Sequence, residues 1–263
     1  MKHKTLHPIT LALLSGVFFC LMPFARFFAQ AEQVWEEMGA YTTYFNVEDK
    51  GRCENIKIAG ELIDGITLQA FGEFSFNQTV GRRTAEFGFK QAKIIVNGEY
   101  VLGVGGGVCQ VSTTLYNTAL LSGLVVTEQH PHSLKVAYVA PSRDAMVSSS
   151  SDLKLYNPHS FAVRLQVRVE NGSLRMQFLG KKLGVKYQIV SRVLEEIPPP
   201  APVVKEGEED GVLREEKVGL KSESYLEKYE KDKLVQRKRL RTDVYLPTQG
   251  IIVKKMKNTP NFP

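Results

Sequence analysis

A single cysteine stands where a glycine-rich turn runs into a helix-forming segment. Residues 103–117 read Gly-Val-Gly-Gly-Gly-Val-Cys-Gln-Val-Ser-Thr-Thr-Leu-Tyr-Asn, which places Cys109 two residues after Gly107. The amide N–H groups of such a turn and the positive end of the helix dipole favour a thiolate, and these amides can also hold the oxyanion of an acyl-transfer intermediate. Cys109 is therefore the candidate nucleophile, and Gly107 and Gln110 are candidate oxyanion or positioning residues.

Two histidines follow one strand-length later and offer a partner for the thiol. A cysteine nucleophile needs a base and a proton donor, and imidazole titrates in the useful range. Of His130 and His132 we favour His132, because Pro131 stiffens the segment and Ser133 can hydrogen-bond locally. Two alternatives stay open: surface histidines at a strand end, and an inert Cys109 packed between helix and sheet.

Zinc is a rival use of the same residues, since one thiolate and two imidazoles would make an open three-ligand site. The proline between the two histidines makes it difficult for both rings to face one ion. Neither a Cys-x-x-Cys nor a His-Glu-x-x-His pattern occurs in the chain. We therefore predict no metal and no other cofactor.

Further polar residues are candidates to complete the site. Arg143 has the planar donor set that binds a substrate carboxylate in bidentate fashion, and Asp144 or Asp152 can orient an imidazole. The alternative for each is a surface salt bridge, a turn or a helix cap.

The elements that must position these residues indicate an α+β fold with a mainly antiparallel sheet and a packed helix following the glycine-rich turn. Val111, Leu115 and Ala119 give that helix an apolar face, and Gly123 is its expected end. The other expected elements are a helix over 55–64, a hairpin of 93–96 with 100–102 at Asn97-Gly98, strands at 135–139 and 153–156, and a hairpin of 161–169 with 173–179 at Asn171-Gly172.

The N-terminus is typical of an exported protein. Residues 1–4 are basic, residues 9–24 are mostly apolar, and Ala29-Gln30-Ala31 has the small-x-small form of a cleavage site. Residues 1–31 are thus expected to be a signal peptide or, if uncleaved, a membrane anchor. In an exported protein a Cys53–Cys109 disulfide must be weighed. We expect Cys53 to lie in a loop and to be unpaired, although a regulatory bridge stays open.

The charge balance limits the choice of partners. With 34 Lys and Arg against 28 Asp and Glu, the formal net charge is +6 and the isoelectric point is about 9.1. The basic residues form no Arg-rich stripe with interleaved aromatics, so nucleic acid binding is not expected. A mildly basic surface suits an anionic cell wall or membrane face.

A run of motifs over about residues 40–180 resembles the VanW family. It comprises the blocks at 74–77, 79–81, 83–86 and 88–89, residues 103–117, residues 130–133 and residues 138–145. Some VanW-domain proteins are associated with L,D-transpeptidation of peptidoglycan through the signature cysteine, which corresponds to Cys109. Asn77, Arg83 and Glu86 also match the signature, and we expect them to secure the loop before the first hairpin.

The resemblance implies a VanW domain at 40–182. Beyond it we expect a Pro-rich connector at 183–202 and a small β-rich accessory module at 203–263, which loosely resembles the wall-binding G-five domain but lacks most of its glycines. We expect this module to move as a separate unit. The implied function is an exported cysteine acyltransferase acting on peptidoglycan stem peptides. A non-catalytic binder of wall peptide or glycopeptide and a purely structural envelope component are the alternatives.

Overall fold

A computed structural model describes residues 35–96 and 98–255, which all belong to one compact unit, Gln33–Pro263. The predicted signal peptide or anchor at 1–31, and Asn97 of the first hairpin turn, lie outside the described residues. Within the described ranges no helix is both long and apolar enough to cross a membrane.

Strands make up most of the regular structure. In chain order the elements are β1 (Glu36–Tyr44), α1 (Lys50–Ile63), β2 (Thr67–Leu68), β3 (Glu73–Ser75), α2 (Phe76–Val80), a 3-10 turn (Ala85–Phe87), β4 (Gln91–Val96), β5 (Glu99–Val104), α3 (Val108–Leu121), β6 (Val125–Glu128), β7 (Lys154–Tyr156), β8 (Val163–Glu170), β9 (Ser173–Gly180), β10 (Lys186–Ile197), β11 (Val203–Gly207), β12 (Gly211–Arg214), β13 (Gly219–Glu230), β14 (Lys233–Tyr245) and β15 (Ile251–Lys255). Of the strand pairs described, β11 with β15 is parallel and the others are antiparallel. The predicted α+β class with a mainly antiparallel sheet is confirmed.

The core forms between two helices and a four-stranded sheet of order β1-β9-β8-β2. In β8, buried Val163 and Leu165 alternate with exposed Arg164 and Gln166, as the two-residue period of a strand requires. The apolar face of this sheet packs against α1 and α3. Burial of each large aliphatic side chain contributes about 1.5–3 kcal/mol, so this face anchors both helices.

Helix α3 is surrounded by protein on nearly all sides. Val111, Leu115 and Ala119 are fully buried, but so are the polar residues between them. The polar groups find partners within and outside the helix. The Thr114 and Thr118 hydroxyls each donate to the carbonyl four residues earlier at 2.7 Å, and the Ser112 hydroxyl donates to the Ala145 carbonyl at 2.6 Å. Because these buried hydroxyls all have an acceptor, protein can enclose the helix without leaving an unsatisfied donor. Its first turn is therefore a fixed support for Cys109.

Both predicted hairpins are confirmed. β4 pairs with β5, and β8 with β9. Asn171 and Gly172 join the second pair with positive φ values of 49° and 74°, the combination that a two-residue type I′ turn requires.

Two local predictions were wrong. Residues 135–139 alternate between buried and more exposed positions as a strand would, but they form no strand, because no neighbouring strand edge pairs with them. The helix predicted at 55–64 begins at Lys50, since the Asp49 side chain accepts a hydrogen bond from the Arg52 amide at 3.1 Å and caps it. Cys53 consequently lies in the first turn of α1 and not in a loop.

The predicted connector and C-terminal module contain strands that contact residues of the preceding domain. β10 falls inside the predicted connector at 183–202, and it pairs along its length with β13 in a sheet of order β10-β13-β14. The Leu246 amide donates to the Ser133 carbonyl at 2.9 Å, and the Ser191 hydroxyl donates to the Pro141 carbonyl at 2.6 Å. These bonds join the C-terminal segment to residues 133–141, and the separate movement of the module stays a prediction.

Candidate active site

The glycine-rich turn fixes the position of Cys109 at the second residue of α3. Gly107 has a φ of 109°, in the range that favours glycine. A Cβ on Gly107 would lie 3.1 Å from the Arg52 carbonyl oxygen, and one on Gly106 would lie 2.6 Å from the Lys93 carbonyl oxygen. The chain can therefore pass between β4 and α1 only as glycine, and it delivers Cys109 to a helix N-terminus.

Cys109, His132 and Asp144 form a hydrogen-bonded array. The Asp144 Oδ2 oxygen accepts hydrogen bonds from His132 Nδ1 and from the His132 amide, both at 2.7 Å. With Nδ1 engaged by the carboxylate, Nε2 is the ring nitrogen left to interact with the Cys109 thiol, which lies close enough to raise the pKa of the imidazole. The partly exposed Cys109 Sγ also lies 3.5 Å from the Val147 carbonyl oxygen. This is the nucleophile, base and orienting carboxylate arrangement of a cysteine acyltransferase or hydrolase.

The electrostatics of the array favour a thiolate–imidazolium pair. Burial raises the pKa of the Cys109 thiol, but the hydrogen bond and charge of His132, with a further contribution from Arg83, outweigh it and lower that pKa. Burial lowers the pKa of His132, but the hydrogen bonds to Asp144 and Cys109 raise it to about 9. The pKa of Cys53, in contrast, is raised by burial and by Asp49. Cys109 is thus the more ionised of the two described thiols.

The carboxylate that orients His132 is held by the C-terminal strands. Asp144 is almost fully buried, and its Oδ1 oxygen accepts hydrogen bonds from the Arg241 guanidinium at 2.6 Å and the Tyr245 hydroxyl at 2.5 Å. The Tyr245 oxygen in turn accepts a hydrogen bond from the Ser142 amide at 2.7 Å. Burial raises the pKa of Asp144, but the bond from His132 and the charge of Arg241 bring it down to about 2. Asp144 is therefore an aspartate at neutral pH.

The array opens into two cavities. Cys109 and His132 line both, and β4 also contributes to the wall of each. The Arg52 cavity, of about 380 Å³, also contains Asp49 and Tyr138; the Arg83 cavity, of about 690 Å³, also contains Thr84 and Ser148. One thiol is therefore part of the wall of both cavities.

One amide at the start of α3 is free to bind an oxyanion. The Val108 and Gln110 amides donate to the Gly105 and Gly107 carbonyls at 3.1 and 2.9 Å. No acceptor for the Cys109 amide is found in the described part of the chain. Gly107 thus contributes by shaping the turn, and the Cys109 N–H is the backbone donor beside the sulfur.

Of the two roles predicted for Gln110, oxyanion donor or positioning residue, its contacts are those of a positioning residue. Its carboxamide N–H₂ donates to the Thr43 hydroxyl at 2.9 Å and the Tyr44 carbonyl at 3.0 Å, which uses both hydrogens. Its side-chain oxygen accepts a hydrogen bond from the Arg52 guanidinium at 2.7 Å. Gln110 therefore positions Arg52 at the wall of the Arg52 cavity.

Three other predicted residues lie away from the thiol. Arg143 donates to the Asn117 side-chain oxygen at 3.0 Å, packs over Tyr41 and lines neither cavity. Asp152 accepts the Ser75 hydroxyl at 2.5 Å and the Asn77 amide at 2.8 Å, so it secures the start of α2. Ser133 is exposed, and its carbonyl accepts a hydrogen bond from the Leu246 amide just after β14. Of the two aspartates considered for the imidazole, the structure brings only Asp144 to His132.

The second histidine is directed elsewhere. His130 Nε2 lies 3.0 Å from the Glu128 carboxylate and lines neither cavity with Cys109. Among the residues that the structure describes, no group of three or more His, Cys, Asp or Glu side chains is arranged to hold a metal ion. Cys53 is a free thiol that donates to the Asn46 carbonyl at 3.4 Å, and Cys109 is also free.

Sequence reasoning missed the two cavity arginines as site residues. Arg83 donates to the Asn77 side-chain oxygen at 2.8 Å and to the Ser148 carbonyl at 2.9 Å. Its place in the signature was a signal, but the expected role was to secure a loop. Arg52 is in α1, far from the motifs in sequence, and nothing local distinguishes it from a surface arginine.

The fold and the site together define a class of protein. It is an α+β domain that holds a cysteine, a histidine and an aspartate in one array at the junction of two cavities. Residues 51–179 match the family model described as VanW like protein. Through this segment the chain belongs to the VanW family.

Two curated relatives support this assignment. The chain is 41% identical over 140 residues to "Uncharacterized protein YoaR" of Bacillus subtilis (strain 168), covering 53% of this chain and 46% of that protein. It is 22% identical over 158 residues to "Vancomycin B-type resistance protein VanW" of Enterococcus faecalis (strain ATCC 700802 / V583), covering 57% of each. The chain thus spans about half the length of the curated relatives it matches. A solved structure, "Crystal structure of HP0197-G5", matches 27% of this chain and 93% of its own at 20% identity, with a TM-score of 0.16.

Proposed function

We propose that this protein is a cysteine acyltransferase of the L,D-transpeptidase type that acts on peptidoglycan stem peptides. The observation that carries the proposal is the Cys109, His132 and Asp144 array at the junction of two cavities. A transpeptidase needs a nucleophile that two peptides reach in turn, and this arrangement provides that access.

The first half of the reaction forms a thioester. The Cys109 thiolate attacks the carbonyl carbon of a donor stem peptide, and the Cys109 N–H stabilises the resulting oxyanion. Collapse of the tetrahedral intermediate breaks the C–N bond, and the His132 imidazolium gives its Nε2 proton to the leaving amine. The products are an acyl-enzyme thioester, a free amine and a neutral imidazole.

The second half restores the resting pair. An acceptor amine attacks the thioester carbonyl and passes its proton to His132 Nε2, and the C–S bond breaks to release the new amide. The thiolate and the imidazolium are regenerated, so atoms and protons balance. Water as acceptor would give hydrolysis by the same steps.

We further propose that the protein works on the outer side of the membrane, in contact with the cell wall. The basic and apolar pattern of residues 1–31, which is typical of export, supports this location. The name of the Enterococcus faecalis relative, which refers to vancomycin B-type resistance, supports a role at the cell envelope.

The test is to incubate the protein with defined muropeptides and to measure intact mass and products by mass spectrometry. We expect a Cys109 acyl adduct and muropeptide dimers, absent in Cys109→Ala and retained in the matched Cys53→Ala variant. Protection of Cys109 from alkylation by muropeptides without any adduct would instead indicate a non-catalytic binder. Neither adduct nor protection would indicate a structural envelope component.

A further inference from the structure

The Arg83 cavity contains a guanidinium that forms no salt bridge with a described residue, although the Asp152 carboxylate and the Cys109 thiolate act on its charge at longer range. Its wall includes Arg82 and Arg83 but no Asp or Glu, and Arg83 forms no ion pair with any residue that the structure describes. The bonds that Arg83 donates go to neutral oxygens of Asn77 and Ser148, which fix the guanidinium without cancelling its charge. Partial burial of a cation without a salt-bridge partner costs free energy, and a bound anion would recover part of it.

A buried hydroxyl of a residue that lines the same cavity also lacks a partner. Thr84 Oγ1 has almost no exposed surface and no hydrogen-bond partner in the described part of the chain, and Thr84 lines the Arg83 cavity. An unsatisfied buried hydroxyl costs about 1–3 kcal/mol, so such groups are rare unless a ligand or water completes them. This observation is independent of the charge on Arg83.

The Arg52 cavity provides a contrast. There the acidic Asp49 accompanies Arg52 and Lys93, so the positive charge is partly balanced by the protein itself. The two sides of Cys109 thus differ in charge, and the side lined by Arg83 is the one that lacks an acidic group.

We propose that the Arg83 cavity binds a free carboxylate of the substrate peptide, with the Arg83 guanidinium as the principal donor and the Thr84 hydroxyl as a second donor. Guanidinium and carboxylate match in geometry, and a hydrogen bond to a charged group contributes about 1.5–3 kcal/mol. At about 690 Å³, the cavity has the size of a small-molecule site. The proposal rests on the proposed function in taking a stem peptide as the ligand.

The experiment compares a muramyl tripeptide with a free C-terminal carboxylate to the same tripeptide as its C-terminal amide. Binding is measured by calorimetry on full-length protein carrying Cys109→Ala, which removes both turnover and the thiolate as a competing anion. We expect the carboxylate to bind at least about tenfold more tightly than the amide. Arg83→Gln is expected to abolish this preference, Thr84→Val to reduce it several-fold, and Arg83→Lys to preserve part of it.

Arg143→Gln is the matched control, because Arg143 is also held by an asparagine oxygen but lines neither cavity. Thermal melting establishes that each variant is folded, and Arg83→Lys and Thr84→Val keep the test valid if Arg83→Gln does not fold. Equal binding of the two tripeptides, or a preference that survives in folded Arg83→Gln, overturns the proposal. A preference without any transferase activity would leave this site standing while the proposed function fails. Equal transferase activity on the carboxylate and the amide tripeptide would support the proposed function and overturn the carboxylate site.

Discussion

Replacing Asp144 by asparagine tests the array at its orienting residue. All four groups that contact the carboxylate are donors: the His132 ring and amide at Oδ2, and Arg241 and Tyr245 at Oδ1. An asparagine amide must turn its own N–H₂ toward one of these two donor pairs, because only one of its ends is an acceptor. At least two hydrogen bonds are lost whichever way it turns.

The expected magnitude follows from the titration of His132. A rise of its pKa from 6.5 to about 9 corresponds to about 3 kcal/mol in favour of the imidazolium, shared between Asp144 and the Cys109 thiolate. If about half belongs to Asp144, its loss weakens the thiolate–imidazolium pair by about 1.5 kcal/mol. The pKa of the thiol then rises, and the rate of Cys109 alkylation on the acid side of that pKa falls about tenfold.

The assay is the pH dependence of iodoacetamide alkylation at Cys109, followed by mass spectrometry of the cysteine peptides, with thermal melting alongside. Asp152→Asn is the matched control, since Asp152 is also buried and hydrogen-bonded but does not contact the imidazole. We expect the control to retain the wild-type profile at Cys109. If folded Asp144→Asn also retains it, or if wild-type Cys109 titrates like a free thiol near about 8.5, the thiolate–imidazolium pair is refuted.

Four further predictions concern the same array. Tyr245→Phe leaves the Asp144 oxygen and the Ser142 amide each without one hydrogen bond, so we expect the free energy of unfolding to fall by about 2–4 kcal/mol in denaturant titrations. Transfer activity should rise with pH as the Cys109 thiolate forms and fall through about pH 9 as His132 loses the proton that the leaving amine needs, and activity that keeps rising past pH 10 would contradict this role. His132→Ala should lower turnover by about a hundredfold or more, whereas His130→Ala should have a much smaller effect, and equal losses would argue against the assigned base. A fragment ending at residue 185 lacks Arg241 and Tyr245, so we expect it to be unfolded by circular dichroism or, if folded, to show slow Cys109 alkylation at neutral pH.

The backbone around Cys109 was predictable because its signals are local. Three consecutive glycines followed by an apolar residue every four positions indicate a turn and a helix without reference to the rest of the chain. The turns of both hairpins are equally local, since Asn-Gly supplies the positive φ values that a two-residue connection needs. These features depend on residues within about ten positions of one another.

The choice among polar partners was not predictable in the same way. Asp144 and Asp152 are eight residues apart in one irregular segment, and only the packing of that segment directs one to His132 and the other to Ser75. Likewise, Arg143 is adjacent to Asp144 in sequence, but it turns toward Asn117 and away from the thiol. The local sequence shows that charged side chains are present in the segment. Tertiary packing determines which of them faces the nucleophile.

The support of Asp144 shows what composition alone does not reveal about the C-terminal segment. Arg241 and Tyr245 lie about one hundred positions after Asp144. They are four residues apart in β14, an even spacing that puts both on the same face of the strand. A strand read on its own gives no indication that this face meets a carboxylate of a distant loop. Because two charge-assisted bonds from β14 hold that carboxylate against His132, the C-terminal sheet is coupled to the ionisation of Cys109. Changes in β14 should therefore alter the reactivity of the thiol even though no residue of that strand lines either cavity beside it.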